Sequence, residues 1–278
     1  MPPVVNVSGI EVGGERFTVI GGPCVIEDLD VCLETAASLK ASAGKHGLNF
    51  IFKSSFEKDN RSDVAFYRGP GIKEGLRILS EVREQIGVPV LSDVHSREQV
   101  GPASEVLDVI QIPAYLSQQT SLVVLAGETG KPVNVKKGQF VAPEDMRAVV
   151  SKIRSTGNNS IMLTERGSCF GYRRLVVDMR SLPIMQSLGC PVIFDVTHAI
   201  RIYGKPSADE SGGEPRFVPA LARAAVACGI DGLFLETHPE PARGNCDAAS
   251  MLDLSEADAL LGQVSAIDGL VRTFEPRS

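Results

Sequence analysis

Chemistry-bearing side chains follow short apolar runs at eight places along this chain of 278 residues. Apolar runs of four to eight residues predict buried strands. The residues at their ends are Cys24, Lys53 with Ser55, Asp93 with His95, Gln111, Asn134 with Lys136, Arg166, His198, and Glu236 with His238. A single polar pair of this kind is typical of a solvated turn. Eight strand ends alike instead indicate one shared site, and residues two apart in a strand should face it together.

Five cations lie on these strand ends or on loops beside them, namely Lys53, Lys58, Arg61, Lys136 and Arg166. Arginine offers bidentate hydrogen bonds to carboxylate or phosphate, and lysine offers a point charge. The set predicts a site for a small, multiply anionic substrate such as a phosphorylated acid or sugar. The alternative is a group of surface lysines that favour solubility, and it applies best to Lys58.

A second group of four residues has the donor types of a metal site. Cys24, His198, Glu236 and Asp247 supply a thiol, an imidazole and two carboxylates, which ligate Zn²⁺, Fe²⁺, Mn²⁺ or Co²⁺. They come from different strand ends and loops, and no short motif links them. Residue types alone therefore do not decide whether these four residues form a metal site.

The elements that must position these residues alternate between two periodicities. The apolar runs are Phe17–Cys24, Asn49–Ser55, Pro89–His95, Val109–Ala114, Pro132–Lys137, Ser160–Arg166, Pro191–His198 and Gly232–His238. Helical periodicity is clear over Leu29–Leu39 and Ala257–Ile267, and weaker over Ile72–Ile86, Glu144–Ile153, Val177–Leu188 and Phe217–Cys228. This alternation predicts a closed parallel (β/α)8 barrel, a TIM barrel. An open doubly wound sheet is the alternative, but no glycine fingerprint directly follows a strand.

The domain organisation is expected to be simple. Val4–Val7 and Ile10–Val12 flank a turn at Ser8-Gly9, which predicts a β-hairpin over residues 1–15. The remaining residues, 16–278, form one barrel domain. No second domain, repeat or low-complexity tract is indicated.

Composition limits the partners and the location. The net charge is −6 and no Lys/Arg-rich run is present, which argues against nucleic acid or an anionic membrane surface as a partner. No apolar run reaches the ~18–20 residues of a membrane span, and no signal peptide is recognisable, so we expect a cytoplasmic protein. The six cysteines lack CxxC spacing and are expected to be reduced. Cys32, Cys190 and Cys228 have the apolar settings of packing residues, and Cys169 has no assigned role.

Nine segments together closely resemble 3-deoxy-D-manno-octulosonate 8-phosphate synthase, over essentially the whole chain. They are Gly21–Cys24, Phe52–Phe56 with Asn60–Ser62, Arg68–Gly71, Ser92–His95, Gln111–Ala114, Asn134–Phe140, Arg166-Gly167 with Phe170–Tyr172, Asp195–His198 and Glu236–Pro239.

The resemblance implies an enzyme, a transferase of the 3-deoxy-8-phosphooctulonate synthase type, with a barrel, an N-terminal hairpin and usually a homotetrameric assembly. That family condenses phosphoenolpyruvate with D-arabinose 5-phosphate and water, and releases phosphate. The eight-carbon product feeds lipopolysaccharide biosynthesis.

The resemblance also implies residue roles. The phosphoenolpyruvate pocket would consist of Lys53, Ser55, Lys58, Gln111, Ala114, Lys136 and Arg166. The motif Asn60, Arg61 and Ser62 would hold the pentose phosphate. Catalytic roles would fall to Asp93, His95, Lys58 and His198.

The family has metal-dependent and metal-independent branches, which carry Cys and Asn respectively at the first strand end. With Cys24 at this position, the chain resembles the metal-dependent branch. The resemblance then implies that His198, Glu236 and Asp247 complete the ligand set for a divalent ion. Cys246, next to Asp247, resembles a cysteine of the metal-independent branch. The stretch Asn245-Cys246-Asp247 thus combines features of both branches.

One position departs from the family pattern. Gln118 stands where the family usually has an arginine that grips the pentose phosphate across a subunit interface. Either another cation, such as Arg201 or Arg216, replaces it, or the acceptor sugar differs. Two other functions remain as alternatives: the sister condensation with erythrose 4-phosphate, and a non-catalytic barrel that binds sugar phosphates.

Overall fold

The computed structural model describes residues 4–205 and 209–274. Its strands are β1 (Val5–Val7), β2 (Ile10–Val12), β3 (Thr18–Gly22), β4 (Asn49–Lys53), β5 (Val90–Asp93), β6 (Val109–Ile112), β7 (Val133–Lys136), β8 (Ile161–Glu165), β9 (Val192–Asp195), β10 (Gly232–His238) and β11 (Leu252–Asp253). Its α-helices are α1 (Leu29–Lys45), α2 (Ile72–Ile86), α3 (Arg97–Val106), α4 (Thr120–Glu128), α5 (Met146–Arg154), α6 (Ser181–Gln186), α7 (Val196–Ala199), α8 (Val218–Ala227) and α9 (Leu254–Phe274).

Strands β3 to β10 form a closed parallel barrel, as predicted. Each pairs with the next in chain order, and β10 pairs with both β9 and β3, which closes the sheet. Helices on the outer face follow most strands, so the architecture is a (β/α)8 barrel. The short strand β11 extends the sheet by pairing with the end of β10.

The predicted N-terminal hairpin is confirmed as β1 paired antiparallel with β2. Ser8 and Gly9 make its turn with positive φ values of 47° and 90°. Val5, Val7 and Val12 pack against apolar side chains of the barrel strands, so the hairpin covers one end of the barrel interior. The predicted outer limits, Met1 and Ser278, lie outside the described residues.

The barrel interior changes from apolar to polar along the strands. One apolar cluster contains Ile20, Ile51, Leu91, Val109, Met162, Ile193 and Phe234. Because every second side chain of a strand faces the same way, the interior positions two residues further on are Gly22, Lys53, Asp93, Gln111, Thr164, Asp195 and Glu236. The strand β7 contributes Asn134 and Lys136 to the same face. The polar layer therefore lies at the carboxyl ends of the strands, where barrel active sites are built.

Most predicted helices are present with shifted ends. Helix α2 spans Ile72–Ile86 as predicted, and α1 and α9 bury the predicted faces, including Leu39 and Leu261. Helices α3 and α4 are also present, although the sequence pattern did not predict them. Cys32 and Cys190 are buried in the main apolar core, and the half-buried Cys228 packs against it, in agreement with packing roles.

One predicted strand is wrong at its end. The strand β9 stops at Asp195, and Val196–Ala199 forms the short helix α7 instead. The Asp195 carboxylate accepts a hydrogen bond from the backbone N–H of His198 at 3.0 Å and so caps this helix. His198 is therefore presented by a helical turn, not by a strand. Among the described residues, no helix is both long and apolar enough to cross a membrane.

Candidate active site

A cavity lies at the carboxyl ends of the barrel strands. Of the predicted site residues, those that line it are Lys58, Asn60, Arg61, Ser62, Asp93, His95, Ala114, Lys136, Arg166, His198 and Asp247. They come from seven different strand ends and loops. The fold thus brings most of the predicted substrate residues and two of the predicted metal ligands to one mouth.

Five other predicted residues lie buried beneath this surface and do not line the cavity: Cys24, Lys53, Ser55, Gln111 and Glu236. Lys53 Nζ is 2.9 Å from Glu236 Oε1 and donates a 3.2 Å hydrogen bond to the Cys24 carbonyl. Lys53 therefore lies beneath the cavity wall, where its ammonium pairs with Glu236. Its charge still acts on the site from below.

Asp93 is the centre of a buried hydrogen-bond network. Ser55 donates to one of its carboxylate oxygens and the Gln111 amide donates to the other. Gln111 in turn accepts a 2.9 Å hydrogen bond from Asn134. Although burial raises the pKa of Asp93, the ammonium groups of Lys53, Lys58 and Lys136 lower it well below its usual range. Asp93 is therefore a permanent carboxylate that accepts hydrogen bonds.

Lys136 extends from β7 towards the end of β9. Its Nζ donates a 2.6 Å hydrogen bond to Asp195 Oδ2 and lies 3.8 Å from the centre of the Phe234 ring. Asp195 Oδ2 is also 2.8 Å from His198 Nδ1. A single buried carboxylate thus holds one predicted substrate cation and one predicted metal ligand.

Arg166 follows β8 and is held at its backbone by its neighbour. Glu165 Oε1 accepts the N–H of Arg166 at 2.9 Å and that of Gly167 at 2.7 Å. The Arg166 guanidinium stacks 5.7 Å from the Tyr203 ring centre, and its buried Nη1 has no hydrogen-bond partner. An unpaired guanidinium nitrogen in the cavity wall suits a substrate anion.

The pentose motif lies on the loop after β4. Asn60, Arg61 and Ser62 all line the cavity. Arg61 Nη1 contacts Cys246 Sγ at 2.9 Å, and Nη2 donates to the Asn245 carbonyl at 2.9 Å. Arg61 therefore links this loop to the loop after β10.

The four predicted metal ligands meet in two overlapping groups. His198, Glu236 and Asp247 place donor atoms within 4.8 Å of one another, and so do Cys24, Cys246 and Asp247. His198 Nε2 is 3.8 Å from Glu236 Oε2 and 3.7 Å from Asp247 Oδ2. Asp247 belongs to both groups, so it joins the thiol side of the cluster to the imidazole side.

Three cations pair with the carboxylates of this cluster. Arg201 pairs with Asp247 Oδ1, and Lys53 and Lys58 pair with Glu236 Oε1. The second oxygen of each carboxylate faces His198. Asp247 itself has φ of 51°, a left-handed conformation that non-glycine residues adopt rarely. The donor types, their proximity and this constrained backbone fit a divalent metal ion.

Burial and neighbouring charges set the protonation of three site groups. The pKa of His198 is lowered to about 4, because burial disfavours the imidazolium. Burial likewise lowers the pKa of His95, so both rings are neutral at pH 7. Burial opposes the charge of Lys58, yet the facing Cys24 and Glu236 groups raise its pKa, so Lys58 stays an ammonium.

Three further residues named from the sequence also lie outside the cavity. His238 is buried at the end of β10, where its Nδ1 accepts the Glu240 N–H at 2.9 Å. Gln118 is exposed, and its backbone carbonyl oxygen accepts a 3.2 Å hydrogen bond from Lys152 Nζ. Arg216 is exposed and stacks on Phe217. Of the two replacements suggested for the missing family arginine, only Arg201 lines the cavity.

Four further residues contribute to the site although their types and spacing predicted no role for them: Asp195, Thr197, Gln139 and Tyr203. Thr197 Oγ1 accepts the Glu236 N–H at 3.0 Å, which ties α7 to β10. Gln139 donates a 2.7 Å hydrogen bond to the Tyr203 hydroxyl and so supports the ring beneath Arg166. Asp195, Thr197 and Gln139 lie within segments that carried the family resemblance. Their place in those segments could have identified these three as site residues, whereas the sequence offered no such indication for Tyr203.

The chain is similar to known proteins along almost its whole length. The sequence profile of the DAHP synthetase I family matches residues 3–270. The chain is 52% identical over 273 residues to a 2-dehydro-3-deoxyphosphooctonate aldolase of Trichlorobacter lovleyi, covering 98% of this chain and 100% of the relative. Proteins of the same name from Citrifermentans bemidjiense and Syntrophobacter fumaroxidans are each 53% identical over 96% of this chain, and 98% and 92% of their own lengths are covered.

Proposed function

This chain belongs to the DAHP synthetase I family, and we propose that it acts as a 2-dehydro-3-deoxyphosphooctonate aldolase. This is another name for the 3-deoxy-8-phosphooctulonate synthase that the sequence resembles. It condenses phosphoenolpyruvate with D-arabinose 5-phosphate and water to give 3-deoxy-D-manno-octulosonate 8-phosphate and inorganic phosphate. The observation that carries this function is the meeting of Lys58, Lys136 and Arg166 with the Asn60–Ser62 loop in one cavity.

The cations of the cavity wall suit the two anionic substrates. Phosphoenolpyruvate carries a carboxylate and a phosphate, which match the unpaired Arg166 guanidinium and the ammonium groups of Lys58 and Lys136. The Asn60–Ser62 loop then receives the pentose phosphate. Two phosphorylated anions are drawn to this mouth even though the whole chain is acidic.

The reaction joins C3 of phosphoenolpyruvate to the aldehyde carbon of the pentose, while water adds at C2. Cleavage of the C–O bond then releases phosphate. Lys58 stays protonated and therefore supplies positive charge to the aldehyde oxygen as negative charge develops there. Neutral His95, beside the permanent carboxylate of Asp93, accepts or passes a proton.

Cys24, His198, Glu236 and Asp247 would hold a divalent metal ion, of which Zn²⁺, Fe²⁺, Mn²⁺ and Co²⁺ suit the donors. When bound, such an ion supplies an electrophile and an orienting template. Asp195 orients the His198 ring through Nδ1, which leaves Nε2 directed towards Glu236 and Asp247. That arrangement is the usual support for a metal-binding histidine.

The metal requirement is tested by removal and return. Dialysis against a strong chelator should abolish activity, and Mn²⁺ or Zn²⁺ should restore it. Full activity in protein shown to be metal-free would contradict the requirement. A Cys24→Asn variant that works without metal would support the assignment to the metal-dependent branch.

The acceptor sugar is tested by phosphate release from phosphoenolpyruvate with a panel of four- and five-carbon aldose phosphates. We expect arabinose 5-phosphate to be preferred. Preference for erythrose 4-phosphate would favour the sister condensation. The names of the relatives, 2-dehydro-3-deoxyphosphooctonate aldolases, favour arabinose 5-phosphate instead. Phosphate release with none of the sugars would favour a non-catalytic binding barrel.

We also propose a homotetramer and a cytoplasmic location. The first follows the family resemblance and is tested by the mass in light scattering. The second follows from the substrates, since phosphorylated anions do not cross a lipid bilayer unaided. Cell fractionation tests it.

A further inference from the structure

Two cysteines far apart in the chain meet beside the predicted metal ligands. Cys24 Sγ and Cys246 Sγ are 2.8 Å apart, and both residues are buried free cysteines. The Asp247 carboxylate lies within 4.8 Å of both sulfur atoms. Two sulfurs and a carboxylate thus form a compact donor group, of which the family resemblance makes only Cys24 and Asp247 metal ligands and relates Cys246 to a cysteine of the metal-independent branch.

Packing alone does not explain the position of Cys246. Cys24 and Cys246 share a small apolar cluster with Val25 and Met251, but the Cys246 sulfur also contacts the Arg61 guanidinium at 2.9 Å. A cationic partner for a buried sulfur indicates that the site tolerates a thiolate there. Cys32 provides the contrast, since it lies in the main apolar core as a packing residue.

The two sulfurs lie closer together than two thiolates bound to one metal ion. Thiolates bound to one tetrahedral zinc ion at about 2.3 Å lie about 3.7 Å from each other. Opening the pair from 2.8 Å to that value takes a displacement of about 1 Å, which is small for two side chains that each rotate about χ1.

We propose that Cys246 is a second thiolate ligand, so that Cys24, Cys246 and Asp247 together bind a thiophilic divalent ion. This inference rests on the metal site proposed above. It assigns the centre to ions that favour sulfur, such as Zn²⁺, Co²⁺ or Cd²⁺, over those that favour only oxygen.

The direct test is cobalt binding to reduced, metal-free protein under anaerobic conditions. Sulfur-to-cobalt charge-transfer absorption scales with the number of bound thiolates. We expect Cys246→Ser and Cys24→Ser each to lower this absorption to about half of the wild-type value. Cys190→Ser, a buried cysteine in the main core, is the matched control and should leave it unchanged. We expect Cys246→Ser to weaken cobalt binding by about tenfold or more, since even residues behind a ligand contribute that much.

X-ray absorption of the zinc-loaded wild-type protein gives a second readout that needs no variant. Two sulfur neighbours at about 2.3 Å support the proposal. One sulfur neighbour, or full cobalt charge-transfer intensity in Cys246→Ser, would overturn it and leave the Cys24 site standing. If wild-type protein binds neither cobalt nor zinc, the metal site of the proposed function fails as well.

Discussion

The Nδ1 atom of His198, in α7, lies 2.8 Å from Oδ2 of Asp195, the last residue of β9. The same oxygen accepts the hydrogen bond of Lys136 at 2.6 Å. Burial raises the pKa of Asp195, but His198 and Lys136 together lower it below its usual range. Asp195 therefore carries a fixed negative charge that orients both neighbours.

Replacement of this charge should weaken the metal site without removing a ligand. We expect Asp195→Asn to lower metal affinity about 10- to 100-fold, because the amide orients the His198 ring less strongly than a carboxylate does. Competition with a chromophoric chelator measures the affinity. Asp178→Asn removes an exposed carboxylate that pairs with Arg180 and is the matched control. Equal affinities of wild type and Asp195→Asn would contradict this role.

The neutral state of His198 should make the metal-free protein sensitive to acid. Its pKa is about 4 in the folded protein, because burial disfavours the charged ring, and about 6.5 in the unfolded chain. The unfolded chain therefore binds more protons between these values, and stability falls as the pH falls from 6.5 towards 4.

The size of this effect follows from the same two pKa values. Between pH 7 and pH 5, we expect the wild type to lose about 2 kcal/mol more unfolding free energy than His198→Asn, which cannot take up this proton. Urea unfolding of both metal-free proteins at the two pH values measures the difference. Parallel losses in the two proteins would show that His198 is not the group responsible.

The barrel and the level of its polar layer could be predicted from the sequence, because both depend on local periodicity. Alternation along β5 and β7 places Asp93 and Lys136 on the inner face whatever the rest of the chain does. Helix α4 was not predicted, because its residues Leu122–Ala126 are apolar on every side and show no amphipathic period.

Partnerships between distant residues could not be predicted in the same way. Asp195 and Lys136 are 59 positions apart, and Cys24 and Cys246 are 222 apart. The end of β9 also escaped prediction, since Asp195 can continue a strand or cap a helix, and its bond to the His198 N–H decides between them. Such contacts depend on barrel closure, which sequence periodicity does not specify in atomic detail.

A buried ion pair supports the backbone that presents Arg166. Lys137 Nζ is 3.5 Å from Glu165 Oε1, and both side chains are almost fully buried. We expect Glu165→Gln to lower the unfolding free energy by about 3 kcal/mol, because it leaves the Lys137 charge without its partner. Urea unfolding measures this loss.

A double-mutant cycle separates that charge effect from a change of packing. Lys137→Met combined with Glu165→Gln should recover part of the loss, since no buried charge is then left unpaired. Strictly additive losses would show that the two side chains act independently.

Gln118 is the place where the site can be strengthened by adding charge. Its side chain is exposed and outside the cavity of its own chain, as expected for a position that acts across a subunit interface. We expect Gln118→Arg to lower the KM for arabinose 5-phosphate about 10- to 100-fold, because one charge-assisted contact contributes ~1.5–3 kcal/mol. Gln119→Arg adds the same charge at the neighbouring exposed position and should leave the KM unchanged. An equal response of both variants would indicate general attraction of the anion, and no response would indicate that Arg201 already fills the role.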